Sequence, residues 1–152
     1  MNAYISAPDL TDSRFAQQHP LRILVAEDNY INRRLMLFQL KSLGYIADAR
    51  ENGHECLDAV LEGSYDVVLS DIDMPEMTGI ECARAIRDAG FGLAIIAVTA
   101  LSPEITKKEC FEAGMSGFMR KPVSLSELKR TLREVSLRKW VNEVNLVVTA
   151  NA

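Results

Sequence analysis

Cysteine is scarce in this 152-residue chain: Cys56, Cys82 and Cys110 are widely spaced, odd in number and form no C-x-x-C pair. With two histidines in the whole chain, neither a disulfide framework nor a clustered zinc site is available. The three thiols fit small core residues of a reduced, cytoplasmic protein. Long apolar runs are missing too. The longest, Leu93 to Val98, falls far short of the ~20 residues that span a bilayer. The first twenty residues scatter Asp9, Asp12, Arg14 and His19 among apolar positions and hold no signal-peptide segment. A large charge of either sign is also absent. Lys+Arg of 17 against Asp+Glu of 21 gives a net charge of -4, which argues against nucleic acid or an anionic membrane as the main partner. What is present, 48% hydrophobic and 25% charged residues, is the composition of an ordinary globular domain long enough to bury one substantial core.

From Arg22 onward, short apolar runs alternate with longer stretches of helical period, the pattern of a parallel sheet flanked by helices. Strands are predicted at Arg22 to Ala26, Tyr45 to Ala49, Asp66 to Ser70, Ala94 to Val98 and Gly117 to Met119. RILVA, DVVLS and AIIAV are almost continuously apolar, as strands buried on both faces should be. Between them, Ile31, Leu35 and Phe38 keep i, i+4, i+7 spacing, with Gly44 where a left-handed cap belongs. Further helices are predicted over Asn52 to Glu62 and Ile80 to Asp88, and from Ser102-Pro103 to Gly114. Ser124 with Glu127 opens a last one, along which Leu128, Leu132 and Val135 repeat. The count is (βα)₅, an α/β doubly wound fold. Residues 1–20 read as a tail or linker. Leu137, Trp140, Val141, Val144 and Leu146 to Val148 are too apolar for a solvated tail, so 138–152 extend the last helix or form an interface, a homodimer through that helix being one outcome.

In such a sheet, ligands bind outside the carboxyl ends of the strands. Those ends carry Glu27-Asp28-Asn29, Asp71-Ile72-Asp73-Met74-Pro75, Thr99-Ala100 and Arg120-Lys121-Pro122. Carboxylates gathered at one edge repel unless a cation sits among them, and all-oxygen ligation suits Mg²⁺. Thr99 offers a hydroxyl donor and Lys121 an ammonium that could neutralise a phosphoryl group in flight. A carboxylate is then the nucleophile, giving an acyl phosphate. Any one of these residues alone is more often a cap, a turn residue or a solvated charge. Jointly, at the ends of four strands in this order, they point to chemistry.

The segments ILVAEDN, VVLSDIDMPEMTG, AVTA and GFMRKP resemble the phospho-accepting receiver domains of two-component response regulators and hybrid histidine kinases. The resemblance spans about Leu21 to Leu137. It implies a flavodoxin-like, five-stranded parallel sheet in the order 2-1-3-4-5. It implies that Glu27 and Asp28 help bind Mg²⁺, that Asp71 accepts the phosphoryl group and also binds metal, and that the backbone carbonyl of Asp73 completes the protein ligands. Thr99 would bond a phosphoryl oxygen and Lys121 would pair with it, Lys121-Pro122 being a cis peptide. Thr99 and Phe118 would then switch the surface of the fourth helix, fifth strand and fifth helix of the (βα)₅ unit. The donor would be a histidine kinase or a histidine phosphotransfer protein. EDNYINRR, with Asn29 and Asn32, resembles the receivers of hybrid histidine kinases in particular. Three departures stand out: Phe118 where Tyr is frequent, Thr78 where Asp or Asn is usual, and Asp73, a second carboxylate at a position where the family tunes phosphate lifetime.

Two rivals use similar parts. Haloacid-dehalogenase-like phosphatases share the order D-x-D, Thr, Lys, with the second Asp as general acid. Here, however, Met74-Pro75 follows the motif and no paired acids occur beyond Lys121. A receiver-like binding module without phosphoryl chemistry is the other. A receiver should show no turnover beyond its own phosphorylation and dephosphorylation.

Overall fold

Ile23–Ala26 (β1), Val67–Ser70 (β3) and Ala94–Thr99 (β4) form the middle of the sheet, where side chains on both faces must be covered. The computed structural model describes residues 13–151 except residue 102. Within them lie Phe15–Gln18 (α1), Tyr30–Ser42 (α2), Asp48–Arg50 (β2), Gly53–Glu62 (α3), Gly79–Asp88 (α4), Pro103–Glu112 (α5), Gly117–Arg120 (β5) and Leu125–Ala150 (α6). The strands are all parallel, in the order β2-β1-β3-β4-β5. That is the order the resemblance implied. Alternate side chains divide the core in two. Leu24, Ala26, Val68, Ile95 and Ala97 join Cys56, Val60, Cys82, Ile86 and Cys110 from α3, α4 and α5. Ile23, Val25, Leu69, Ile96, Val98 and Met119 join Met36 and Leu40 of α2 and Leu128, Leu132 and Val135 of α6.

Helix starts follow local chemistry. The Asn29 and Asn52 side chains accept from the N–H groups of Asn32 and Glu55 at 2.9 and 2.8 Å. Ser124 accepts from Glu127 at 3.1 Å. The unusual Thr78 serves as N-cap of α4, its hydroxyl accepting from Glu81 at 3.2 Å. Ser102, the expected N-cap of the fourth helix of the (βα)₅ unit with Pro103 in its first turn, lies outside the described residues. Gly44 has φ +93°, the left-handed conformation expected of it.

Three expectations need correction. The second strand is Asp48–Arg50 rather than Tyr45 to Ala49. The Gly44 turn takes up Tyr45, whose N–H donates to the Leu40 carbonyl at 3.0 Å, and leaves Ile46 exposed, so pairing with β1 begins at Asp48. The Ile31, Leu35, Phe38 stripe is helical but faces solvent, with Ile31 69% and Phe38 70% exposed. Met36 and Leu40, roughly 150° round the helix, do the packing.

The third concerns residues 1–20, read as a tail or linker, of which 13–20 lie among the described residues. Phe15 is only 2% exposed and belongs to the α2/α6 core. Its ring meets Tyr45 edge-on at 6.3 Å and has Lys129 and Arg133 of α6 over it at 5.4 and 5.6 Å. The Tyr45 hydroxyl donates to the His19 carbonyl at 2.6 Å, and the Ala16 N–H to the Leu43 carbonyl at 2.9 Å. At the other end α6 runs on to Ala150, leaving Leu137, Trp140, Val141 and Val144 exposed. Replacing Phe15 with Ala should lower folding stability by about 3–5 kcal/mol, as for a buried aromatic. Urea denaturation checks this, and a loss under ~0.5 kcal/mol would show that the segment does not close the core.

Candidate functional site

Four of the five strands deliver polar groups to their shared carboxyl edge. β1 runs into Glu27 and Asp28, β3 into Asp71, β4 ends on Thr99 and β5 runs into Lys121. The register explains the convergence. Ala26 pairs with Ser70, Ser70 with Ala97, and Thr99 with Arg120, so the residues that follow emerge side by side. Bonds along the edge continue the ladder, from Asp71 N–H to the Ala26 carbonyl and from Lys121 N–H to the Thr99 carbonyl, both 2.9 Å.

Carboxylate oxygens of Glu27, Asp28 and Asp71 lie within 4.8 Å of one another. Glu27 and Asp71 are buried and Asp28 is exposed. The Lys121 ammonium enters this group, 2.6 Å from Glu27 Oε2 and 3.4 Å from Asp71 Oδ2. The Ile72 N–H donates to Asp71 Oδ1 at 2.8 Å, and the Asn29 N–H to Glu27 Oε1 at 3.2 Å. Burial, and after it the charge of Glu27, push the Asp71 carboxyl up to about 6, with Lys121 pulling the other way. Burial alone would lower Lys121, but its hydrogen bond to Glu27 and the charge of Asp71 hold it above its ordinary value.

Gly79 fixes the loop after β3. Its N–H donates to the Ile72 carbonyl at 2.9 Å, and a Cβ there would collide with the Asp71 carbonyl. Thr99 is buried and its Oγ1 accepts from the Leu101 N–H at 3.2 Å, which leaves the hydroxyl proton to donate. The Asp73 carboxylate points to solvent outside the three-carboxylate cluster. What the resemblance implied for Asp73 concerns its backbone carbonyl. Phe118, half-buried on β5, packs against the α3/α4/α5 side of the core. Lys121-Pro122 is cis.

Sequence reading passed over Arg33. Its Nη1 donates to the Glu27 carbonyl at 3.0 Å and, at 3.4 Å, to that of Asp28. Only the bare motif EDNYINRR hints at it, because a side chain that bonds backbone has no partner residue type to signal it.

A cluster of three carboxylates and one lysine, with oxygen donors alone, fits a hard divalent cation rather than a transition metal. The family model for the response regulator receiver domain matches residues 23–133. The chain belongs to the response regulator receiver domain family. Its receiver sequence is 39% identical over 122 residues to sensor histidine kinase RcsC of Escherichia coli, covering 80% of this chain but 13% of that kinase. Among solved structures it is similar to the receiver domain of sensor histidine kinase PA1611 from Pseudomonas aeruginosa, crystallised with a magnesium ion coordinated in its active-site cleft. That likeness has 31% identity and a TM-score of 0.71, covering 76% of this chain and 97% of that one. It also resembles the receiver of Ssk1 from Saccharomyces cerevisiae, solved in complex with the histidine phosphotransfer protein Ypd1. There the identity is 27% and the TM-score 0.73, with 78% and 90% covered. The receiver assignment displaces the phosphatase alternative. No helix among the described residues is long and apolar enough to cross a membrane.

A raised carboxyl favours the folded state only while protonated, so the cost of Asp71 is absent below its ordinary value of 3.8 and complete above about 6. Without divalent ions, Asp71→Asn should therefore stabilise the receiver at pH 7.5, by on the order of 1–3 kcal/mol. The gain should fade as pH falls from 6 to 4. Urea melts of both chains across that range check it, and a loss of stability at pH 7.5 would reverse the sign.

Proposed function

We propose that this receiver takes a phosphoryl group from phosphohistidine onto Asp71 with Mg²⁺, and passes the change to the surface formed by α5, β5 and α6. The observation that carries the reading is the Asp71 carboxylate itself. One oxygen is tethered by the Ile72 N–H and the other faces Lys121, inside a cluster of acids that needs a cation. Glu27, Asp28 and Asp71 would hold the metal, joined by the carbonyl of Asp73. When bound it supplies positive charge that offsets the acids and the transferring group.

The chain's own residues do the remainder. Asp71 Oδ2 attacks phosphorus in line as the P–N bond breaks, and the electron pair leaves with the imidazole nitrogen. Lys121 then exchanges a carboxylate for a phosphoryl oxygen, and Thr99 turns its hydroxyl proton toward another. Movement of Thr99 opens space for Phe118 to rotate inward. With no hydroxyl on Phe118, packing alone drives that rotation.

Docking of the donor is supported by the face of α2 that the core leaves bare. Tyr30, Ile31, Leu35 and Phe38 form an exposed apolar strip. A cavity of about 320 Å³ runs from Leu35 and Met36 to Asp71, Lys121 and Pro122. A histidine-bearing helical partner seated on this strip would place its imidazole over the cavity. Self-association through the exposed Leu137, Trp140 and Val144 of α6 is a second contact within this reading.

Acetyl phosphate should add one phosphoryl group to the chain by intact mass, only with Mg²⁺, and none to Asp71→Asn. Modification that persists in the substituted chain would overturn the acceptor assignment. Phe38→Asp should slow transfer from a phosphorylated histidine phosphotransfer domain about tenfold or more, equivalent to ~1.4 kcal/mol. It should leave labelling by acetyl phosphate unchanged. Equal effects on both donors would remove α2 from the docking surface.

A further inference from the structure

The acids of the proposed metal site sit on unequal supports. Asp71 is buried and bonded to the backbone of Ile72. Glu27 and Asp28 occupy the short link between β1 and the N-cap of α2. Glu27 still belongs to the sheet edge, its N–H donating to the Arg50 carbonyl at 3.1 Å. Asp28, one residue on, is exposed, and adjacent carboxylates push each other apart. Lys121 restrains the side chains of Glu27 and Asp71, yet this same ammonium must turn toward an incoming phosphoryl group. A link that carries two metal ligands therefore needs a brace that stays in place.

Arg33 has the geometry of that brace. From the first turn of α2 its Nη1 reaches back to the carbonyls of both Glu27 and Asp28. Its Nη2 pairs with Glu51 Oε1 at 3.2 Å, which ties the guanidinium to the loop after β2. Tyr30 lies under it, with the ring centre 5.6 Å from the guanidinium carbon. The side chain is only 13% exposed. Three pieces of chain thus meet on one planar group whose edges bond in different directions. A lysine ammonium, a compact charge on a flexible stem, cannot hold all of them at once.

We propose that Arg33 is a positioning residue for the metal pair, fixing the Glu27–Asp28 backbone so that both carboxylates and Asp71 can share one divalent cation. The proposal rests on the reading of these three acids as the Mg²⁺ site. Arg33 touches neither the ion nor the phosphoryl group. It acts by removing the freedom that the link would otherwise lose on binding, so its absence should appear as weaker metal affinity and not as slower chemistry once metal is bound.

The test is Mn²⁺ binding to the full chain, with free ion counted by electron paramagnetic resonance, for the parent, Arg33→Gln and Arg33→Lys. Supporting partners of metal ligands commonly set affinity by 10- to 100-fold, so Arg33→Gln should bind about tenfold more weakly. Arg33→Lys should recover only part of the loss. Under acetyl phosphate, the Mg²⁺ concentration for half-maximal labelling should rise by a similar factor while the rate at saturating Mg²⁺ stays within about twofold of the parent. Parent-like Mn²⁺ binding by Arg33→Gln overturns the proposal. Full recovery by Lys also overturns it, since charge alone would then suffice. Should Arg33→Gln fail to fold, the comparison of Arg33→Lys with the parent decides. A parent that binds no Mn²⁺ overturns the reading of the metal site itself, which is a different result from a parent that binds and a variant that binds equally.

Discussion

Lys121 holds together a group of acids that would otherwise drive the carboxyl edge of the sheet apart. At an effective dielectric of 20, the buried Glu27 and Asp71 carboxylates, with oxygens within 4.8 Å, repel by roughly 3 kcal/mol or more, and the exposed Asp28 adds a solvent-screened share. The two contacts of Lys121, at 2.6 and 3.4 Å, return roughly 11 kcal/mol on the same scale. That attraction is drawn on by the desolvation of Glu27 and Asp71, and burial still leaves the Asp71 carboxyl raised to about 6. A single lysine makes the cluster tolerable, but three carboxylates against one ammonium leave two net negative charges, which a divalent ion would match. On the proposed function, the same shortage would give a phosphoryl group its effect, because a new anion would have to draw Lys121 away from a carboxylate.

That balance requires side chains from three strands to arrive at one edge, and the doubly wound sheet is the means. With β1 and β3 adjacent, Glu27 and Asp71 emerge next to each other although 44 residues separate them in sequence. The strands in the middle are apolar on both faces, so the edge beyond them is the first place where polar groups can collect without being buried in the core. Gly79 permits the Asp71 carbonyl to approach the start of α4, so Asp71 stands on a turn with little room to shift.

Much of this was legible because it depends on residue type at strand ends. An apolar run followed by acid, hydroxyl or lysine is visible in one dimension, and Asp28, Asp71, Thr99 and Lys121 all emerge where strand-end reasoning locates them. What escaped depends on orientation or on backbone atoms. Ile31, Leu35 and Phe38 have the same helical spacing as a core stripe, and periodicity cannot tell which of two apolar faces meets the sheet when Met36 and Leu40 offer a second. Tyr45 belongs to a strand by propensity but to the Gly44 turn by hydrogen bonding. Phe15 is one aromatic without a period, and its burial follows from Tyr45, Lys129 and Arg133, far apart in sequence.

These misreadings converge on α2, where each face of one helix has a separate task. Met36 and Leu40 hold it to the sheet, Arg33 reaches under the link to the acids, and Ile31, Leu35 and Phe38 are left to solvent. A helix used on all sides has apolar residues on all sides, so its pattern is blurred. The arrangement also has a mechanical consequence. A partner seated on the outer strip would press on the helix whose Arg33 bonds the Glu27 and Asp28 carbonyls. Docking and metal geometry then share one rigid element. Because linkage is reciprocal, a partner that binds better when the link is ordered must tighten metal binding by the same factor that metal tightens the partner. On these two proposals, the site and the docking face would be coupled through a helix that contributes no acid to the metal cluster.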